Sequence, residues 1–371
     1  MATAVIARAL IDPSARFAVP GVDGGALVAA ATRDRVLVLL GSRLREAGTL
    51  REWPSVFIDA HSAAERQAIA VECVRHAELT RVLDALSQAR IRTLLFKGTA
   101  LAHTHYSAPH LRSRTDTDIV VSSADVPPLA RILADLGYER PAQTSGRLIS
   151  FQQHFAKDDR YGVLHVLDVH WKISNRHALA NRIAFDELWE HRVPLPALGP
   201  SAAAPGRVHA LLIALIHRAG HHPGSGDLRW MYDLHVLAEA LSADDVRQVG
   251  AMVADRGLEG IARDALAAAR ERFGPCATDR MVAALDNGMT DADNVAVLRG
   301  RWSRTDILLQ DLRALPGWRA RGRLICEHLL APASYMRERY GVRSSALLPG
   351  LYVWRALRGA PRWLRRDQRD A

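Results

Sequence analysis

The chain of 371 residues is 49% hydrophobic and 24% charged, the balance of a folded globular protein, and it is long enough for about two domains of roughly 150 residues each. Its net charge of +9 is uneven: from Leu312 onward thirteen arginines face four acids, a difference equal to that of the whole chain. Three cysteines without a C-x-x-C pair argue against a disulfide framework or a cysteine metal knuckle, no apolar run approaches the ~18 residues of a membrane span, and the amino terminus lacks the apolar stretch of a signal peptide, so a cytoplasmic setting is expected.

Residues 1–60 contain helical pieces, chiefly ALVAAATRDRVLVLLGSRLREAG, whose expected role is packing. Ser62 followed by Glu65 has capping-box spacing, and apolar positions 69, 71, 74, 79, 82, 83 and 86 predict one long amphipathic helix behind it. TLLF (93–96) reads as a strand ending at Gly98, where a turn is cheap, with Thr99 capping a short helix through Tyr106. DIVVS (118–122) is the next strand. Ser122 or Ser123 is the expected cap of the helix after it, with Pro127 and Pro128 in the tolerant first turn. SFQQHFAK and GVLHVLDVHWKI alternate around Asp158-Asp159-Arg160 as a hairpin, giving a small mixed sheet over about 90–175. PLPALGPSAAAPG (194–206) reads as a linker, and four helical stretches follow, from VHALLIALIHRAGHH to LEGIARDALAAARERFG. The expected class is α+β: an N-terminal helical segment (1–60), a mixed-sheet core with flanking helices (61–200), and a mostly α-helical domain with a basic C-terminal tail (201–371).

Asp116 and Asp118 are two apart at a strand start, so their carboxylates share a face and can hold one hard cation; a strand beginning at a polar surface gives the same pattern. Gly98 and Thr99, at a strand-to-helix junction, offer backbone N–H groups to a phosphate, or form a simple capped turn. Asp168 lies on a later strand, on one face with His170, where a third carboxylate would complete a two-cation site. Lysine occurs only at 97, 157 and 172, which singles out Lys97, either as a cation for phosphate or as the ion-pair partner of a nearby acid. His217 and His221 are four apart on a helix, with His222 adjacent. Position 218 is arginine where H-E-x-x-H needs glutamate, so these histidines read as helix-end groups that line the domain interface or contact a substrate rather than as zinc ligands. Arginines 355, 358, 362, 365 and 369 would line one helical face interrupted by Pro361, either solvated or facing RNA or another anionic surface.

The combination resembles the nucleotidyltransferase superfold of polymerase β-like enzymes, and more narrowly a bacterial family of uncharacterised nucleotidyltransferases. The resemblance rests on Lys97-Gly98 with Leu101 and Tyr106, on Arg114 with Asp116-Thr117-Asp118, and on Asp168-Val169-His170-Trp171. IHRAGHH, LRWMYDL, YMRERYG and LYVWRALRG extend it over about 65–360. Threonine stands where many relatives have serine, and Gly98 and Asp116 are eighteen positions apart, a longer gap than usual. The resemblance implies a core that takes an NTP with magnesium, or manganese in its place, and moves a nucleoside monophosphate to an acceptor with release of pyrophosphate. Asp116, Asp118 and Asp168 would then be catalytic and metal-binding, with Lys97, Gly98, Thr99 and Arg114 on the nucleotide. His170, His217 and His221 would face the acceptor, which could be a small molecule, a peptide or RNA. Two other readings use the same residues: a non-catalytic nucleotide- or RNA-binding module, and a hydrolase.

Overall fold

The computed structural model describes residues 1–14, 23–141, 148–221, 226–285 and 304–364. Three helices open the chain, α1 (Ala2–Ile11), α2 (Gly24–Arg33) and α3 (Leu37–Glu46). Arg35 adopts a left-handed φ of 56°, which separates α2 from α3. Helix α4 runs for 34 residues from Ser55 to Gln88. It starts directly after Pro54, so the expected capping box lies inside it: the Ser62 hydroxyl donates to the Ile58 carbonyl at 2.8 Å and Glu65 pairs with Arg45 of α3. The predicted apolar stripe is buried at Leu79, Val82, Leu83 and Leu86, against the sheet.

The sheet is built from β1 (Thr93–Leu95), β2 (Thr117–Val121), β3 (Gln152–Asp158) and β4 (Leu164–His170), in the order β1-β2-β4-β3. The central pair β2–β4 is parallel and both outer pairs are antiparallel. Between β1 and β2 stands α5 (Lys97–Thr104), which begins at Lys97 behind Phe96 rather than at a Thr99 cap. After β2 comes α6 (Val126–Asp135), with Pro127 and Pro128 in its first turn as expected. Its cap position is Asp125, while the Ser122 hydroxyl accepts from the Ala124 N–H. Strand alternation sorts the two faces. Leu95, Ile119, Val121, Leu167 and Val169 pack with α4 and α6; Leu94 and Val120 face the other way, and so do Asp118, Asp168 and His170.

Short helices α7 (His177–Ala180) and α8 (Phe185–Glu190) lead into a two-stranded ribbon, β5 (Arg192–Pro194) and β6 (Ala203–Pro205). The stretch expected to be a linker is therefore packed: Leu195, Leu198, Ala202 and Ala204 are buried in the α4 side of the core, where small alanines allow close approach. Helices α9 (Arg207–His221), α10 (Leu228–Glu239), α11 (Ala243–Asp255) and α12 (Glu259–Phe273) follow the predicted stretches, and α13 (Asp279–Leu285) completes the group. They share a single apolar core with α1 to α3, in which Ile6, Leu10, Leu40, Leu212, Leu234 and Leu266 are fully or nearly fully buried.

Helices α14 (Arg304–Ala314), α15 (Gly317–Leu329), α16 (Ala333–Tyr340) and α17 (Leu348–Leu364) form the C-terminal part. It is docked on the sheet-bearing half. Asp311 accepts the His177 N–H at 2.9 Å, Arg176 donates to Gln310 at 2.7 Å, and Glu327 accepts the Leu148 N–H at 2.8 Å. Pro361 does not interrupt α17, which continues to Leu364. In its final turns a proline removes little more than one backbone bond. Arg365, Arg369 and the side chain of Arg362 lie outside the described residues. Among the described residues no helix is long and apolar enough to cross a membrane.

Candidate active site

The parallel register of β2 and β4 sets Asp118 directly opposite Asp168 and Val120 opposite His170. Because side chains alternate along each strand, the two acids and the histidine emerge on one face, and their ligand atoms lie within 4.8 Å of one another. All three residues are buried. Asp116 stands one residue ahead of β2, is half-buried, and lines the same cavity as Asp118 and Asp168. Burial, reinforced by the Asp118 and Asp168 carboxylates, raises the Asp116 pKa.

Lys97 closes this cluster. Its ammonium donates to Asp118 Oδ1 at 2.7 Å, lies 3.3 Å from His170 Nε2, and sits 4.8 Å from the centre of the Phe96 ring. Lys97 is thus the half-buried ion-pair partner of a buried acid, one of the two roles open to it in the sequence. Burial works to raise the Asp118 pKa, but Lys97 and His170 outweigh it and hold the carboxyl well below its usual range. Burial, with the Lys97 charge, lowers the His170 pKa, and His170 Nε2 lies 3.0 Å from Asp118 Oδ1. The backbone yields to this placement: the left-handed residue at the strand end is Lys97 itself, with φ of 52°, and not Gly98. A non-glycine residue there costs about 1–2 kcal/mol. A Cβ on Gly98 would stand 3.5 Å from the Arg112 guanidinium, an ordinary contact, so packing at this point does not demand glycine.

The span from Gly98 to Asp116, eighteen positions apart, is tied down at several points. Arg112 makes a two-pronged bond to Asp233 of α10, at 2.7 and 2.6 Å, and the Tyr106 hydroxyl donates to the same carboxylate at 2.6 Å. Arg114, buried, donates to Glu72 of α4 at 2.6 Å and to the Pro109 carbonyl at 3.1 Å. Thr99 is fully buried, with its hydroxyl 3.5 Å from the Asp116 carbonyl. That contact ties α5 to the strand start instead of presenting the hydroxyl to the cavity. The Phe96 N–H bonds the Asp118 carbonyl at 3.1 Å, so the halves meet despite the long gap.

A cavity of about 500 Å³ covers this end of the sheet. Lys97, Gly98, Arg114 and the three aspartates line the sheet wall; α9 and α10 form the opposite wall with His217, Arg218, Arg229 and Trp230. His217 and Trp230 meet edge to face at 6.3 Å. Helix α9 ends at His221, whose side chain lies outside the described residues, as does His222. Arg33 and Arg35 reach the cavity from the α2–α3 junction.

Comparison with protein families matches residues 20–274 to the family described as uncharacterised nucleotidyltransferase. The chain belongs to this family. A comparison with curated proteins found no match. The matched span takes in α2 and α3, which the sequence resemblance left out, and stops before the C-terminal helices that it included.

Within this nucleotidyltransferase the donor set suits a divalent cation. Two facing carboxylates, a third beside them and a buried imidazole supply hard oxygens with one nitrogen, and a cationic ammonium already sits among them. His154 escaped the sequence reading. It faces Asp168 across the β3–β4 ladder, and its Nδ1 pairs with the Asp168 carboxylate. That hydrogen bond, opposed by burial, raises the His154 pKa. Hairpin register was its only signal in the sequence. Arg112, Arg218 and Arg229 were hidden by the abundance of arginine.

Proposed function

We propose that the protein transfers a nucleoside monophosphate from an NTP to an acceptor hydroxyl or phosphate, with release of pyrophosphate. The observation that carries this reading is the register match of Asp118 with Asp168 beside Asp116, on the cavity-facing side of the sheet, in a chain of this family. Asp116, Asp118 and Asp168 would hold magnesium, or manganese, whose charge neutralises the nucleotide phosphates when bound.

Lys97 and the backbone at Gly98 open α5 toward the same cavity, where they offset charge on the departing phosphates. Arg114, lining that wall with an unpartnered buried Nε, adds a second cation. In the reaction an acceptor oxygen forms a bond to the α-phosphorus as the bond from that phosphorus to its bridging oxygen breaks. Pyrophosphate carries away the electron pair, and the acceptor proton passes to Asp168, whose carboxylate His154 orients.

Labelled NTPs incubated with the protein, magnesium and a cell extract test this. The expected result is label on one fraction with stoichiometric pyrophosphate, falling about a thousandfold or more in Asp118→Asn and Asp168→Asn. Wild type that labels nothing and forms no pyrophosphate, or that behaves as Asp118→Asn does, overturns it. Free nucleoside monophosphate without a labelled acceptor would instead assign the site to hydrolysis.

A further inference from the structure

The wall opposite the acids is unusual in its own right. Arg218 and Arg229 are 95% and 93% buried, by relative exposures of 5% and 7%, and each has an Nε with no hydrogen-bond partner among the described residues. Both line the cavity, and they lie next in sequence to the His217–Trp230 contact that joins α9 to α10. A guanidinium cannot shed its charge to escape burial, so two buried cations lining a cavity favour an anion within it.

Arg218 has one partner, Asp264, at its Nη1. Arg229 is less well served. Asp227 is 3.6 Å from Nη2, and Nη1 donates to the Ser113 carbonyl at 3.1 Å. Burial, with the neighbouring Arg112, pushes the Arg229 pKa down to about 10, a sign of a cation short of compensating negative charge. Arg112 cannot share its own counter-charge, because Asp233 is engaged on both oxygens. Arg35, exposed and without an ion pair among the described residues, lines the cavity from the α2–α3 junction.

We propose that Arg218, Arg229 and Arg35 form a subsite for an anionic group of the acceptor, a phosphate ester or a carboxylate, across the cavity from the acids. This rests on the nucleotidyl-transfer reading and narrows its acceptor to anionic compounds. The sheet wall already supplies Lys97, Arg114 and the carboxylates to a nucleotide, so the arginines of the helical wall are left for the second substrate. Guanidinium groups suit oxyanions with two or three acceptor oxygens.

Calorimetric titration of inorganic phosphate, and separately of acetate, into the full-length protein tests the proposal, both free and saturated with magnesium and an α,β-methylene NTP analogue. Phosphate is expected to bind the nucleotide-saturated protein, in which the analogue already occupies the acid-bearing wall. Arg229→Gln and Arg35→Gln should each weaken it at least about tenfold, the loss of one charged hydrogen bond. If Arg229→Gln fails to fold by circular dichroism, the exposed Arg35→Gln decides. Tighter phosphate than acetate points to a phosphorylated acceptor and the reverse to a carboxylate. Displacement of phosphate by the analogue, or indifference to the arginine substitutions, overturns the proposal. If the analogue does not bind at all, the nucleotidyl-transfer reading falls, while the arginine dependence in the free protein still decides whether this wall is an anion site.

Discussion

Lys97 shows how much a single residue is asked to do. It accepts a left-handed backbone, stacks over Phe96 and neutralises a buried acid. Removing its charge in Lys97→Met leaves Asp118 buried against a neutral ring, and urea unfolding should show a loss of about 3–5 kcal/mol. His103 offers a pH test away from the acids. Its side chain is buried on α5, 3.9 Å from Glu72, and burial, with the nearby Arg114, lowers its pKa to about 4 from 6.5. Between those values the unfolded chain binds more protons than the folded one. Stability is therefore fully present above about pH 6.5 and declines as pH falls toward 4, by up to about 3 kcal/mol. His103→Gln should flatten that part of the acid limb in urea midpoints measured across the window.

At the scale of elements, the loop from α5 to β2 is held in part by the Asp233 carboxylate of α10, which takes both Arg112 and Tyr106. Asp233→Asn leaves Arg112 buried with only a neutral amide, a change expected to cost about 3–5 kcal/mol. It should also speed amide exchange over residues 105–115, read by mass spectrometry. Tyr106→Phe loses a single bond to the same carboxylate and should cost less, about 1.5–3 kcal/mol.

What could be read from the sequence follows the same division. Strand alternation revealed β2, β3 and β4, and the two-residue spacings of Asp116 with Asp118 and of Asp168 with His170 revealed shared faces, because such periodicity is local. The Arg112–Asp233 pair spans 121 positions, and His154 meets Asp168 only through a register that no spacing specifies. Thr99 and Ser62 looked like caps because their type and position fitted one. In the fold both helices start earlier, where Pro54 and the strained Lys97 set the chain direction. The alanine- and proline-rich stretch 194–206 resembled a linker by composition, yet small side chains are also what a ribbon pressed against β1 requires.

For the whole molecule, the C-terminal helices are attached to the sheet-bearing half by polar contacts at α14 and α15. Asp311→Ala removes the acceptor of the His177 N–H and the partner of Arg176. It should cost about 1–3 kcal/mol at that contact and raise exchange across 304–364 with little change in the α9–α12 core. Equal loss of protection in both regions would show instead that the two unfold as one.

The apolar core shared by α1–α3 and α9–α13 carries a consequence for how such a protein can evolve. Leu94 and Val120 on the sheet belong to that core along with Leu10 and Leu266, so the acid-bearing strands are not a cassette that recombination can lift out and graft elsewhere. Helices from both ends of the matched span must travel with them. If the proposed acceptor wall holds, changes of acceptor would arise by point substitution in α9, α10 and the α2–α3 junction, while the strands that carry the acids stay put.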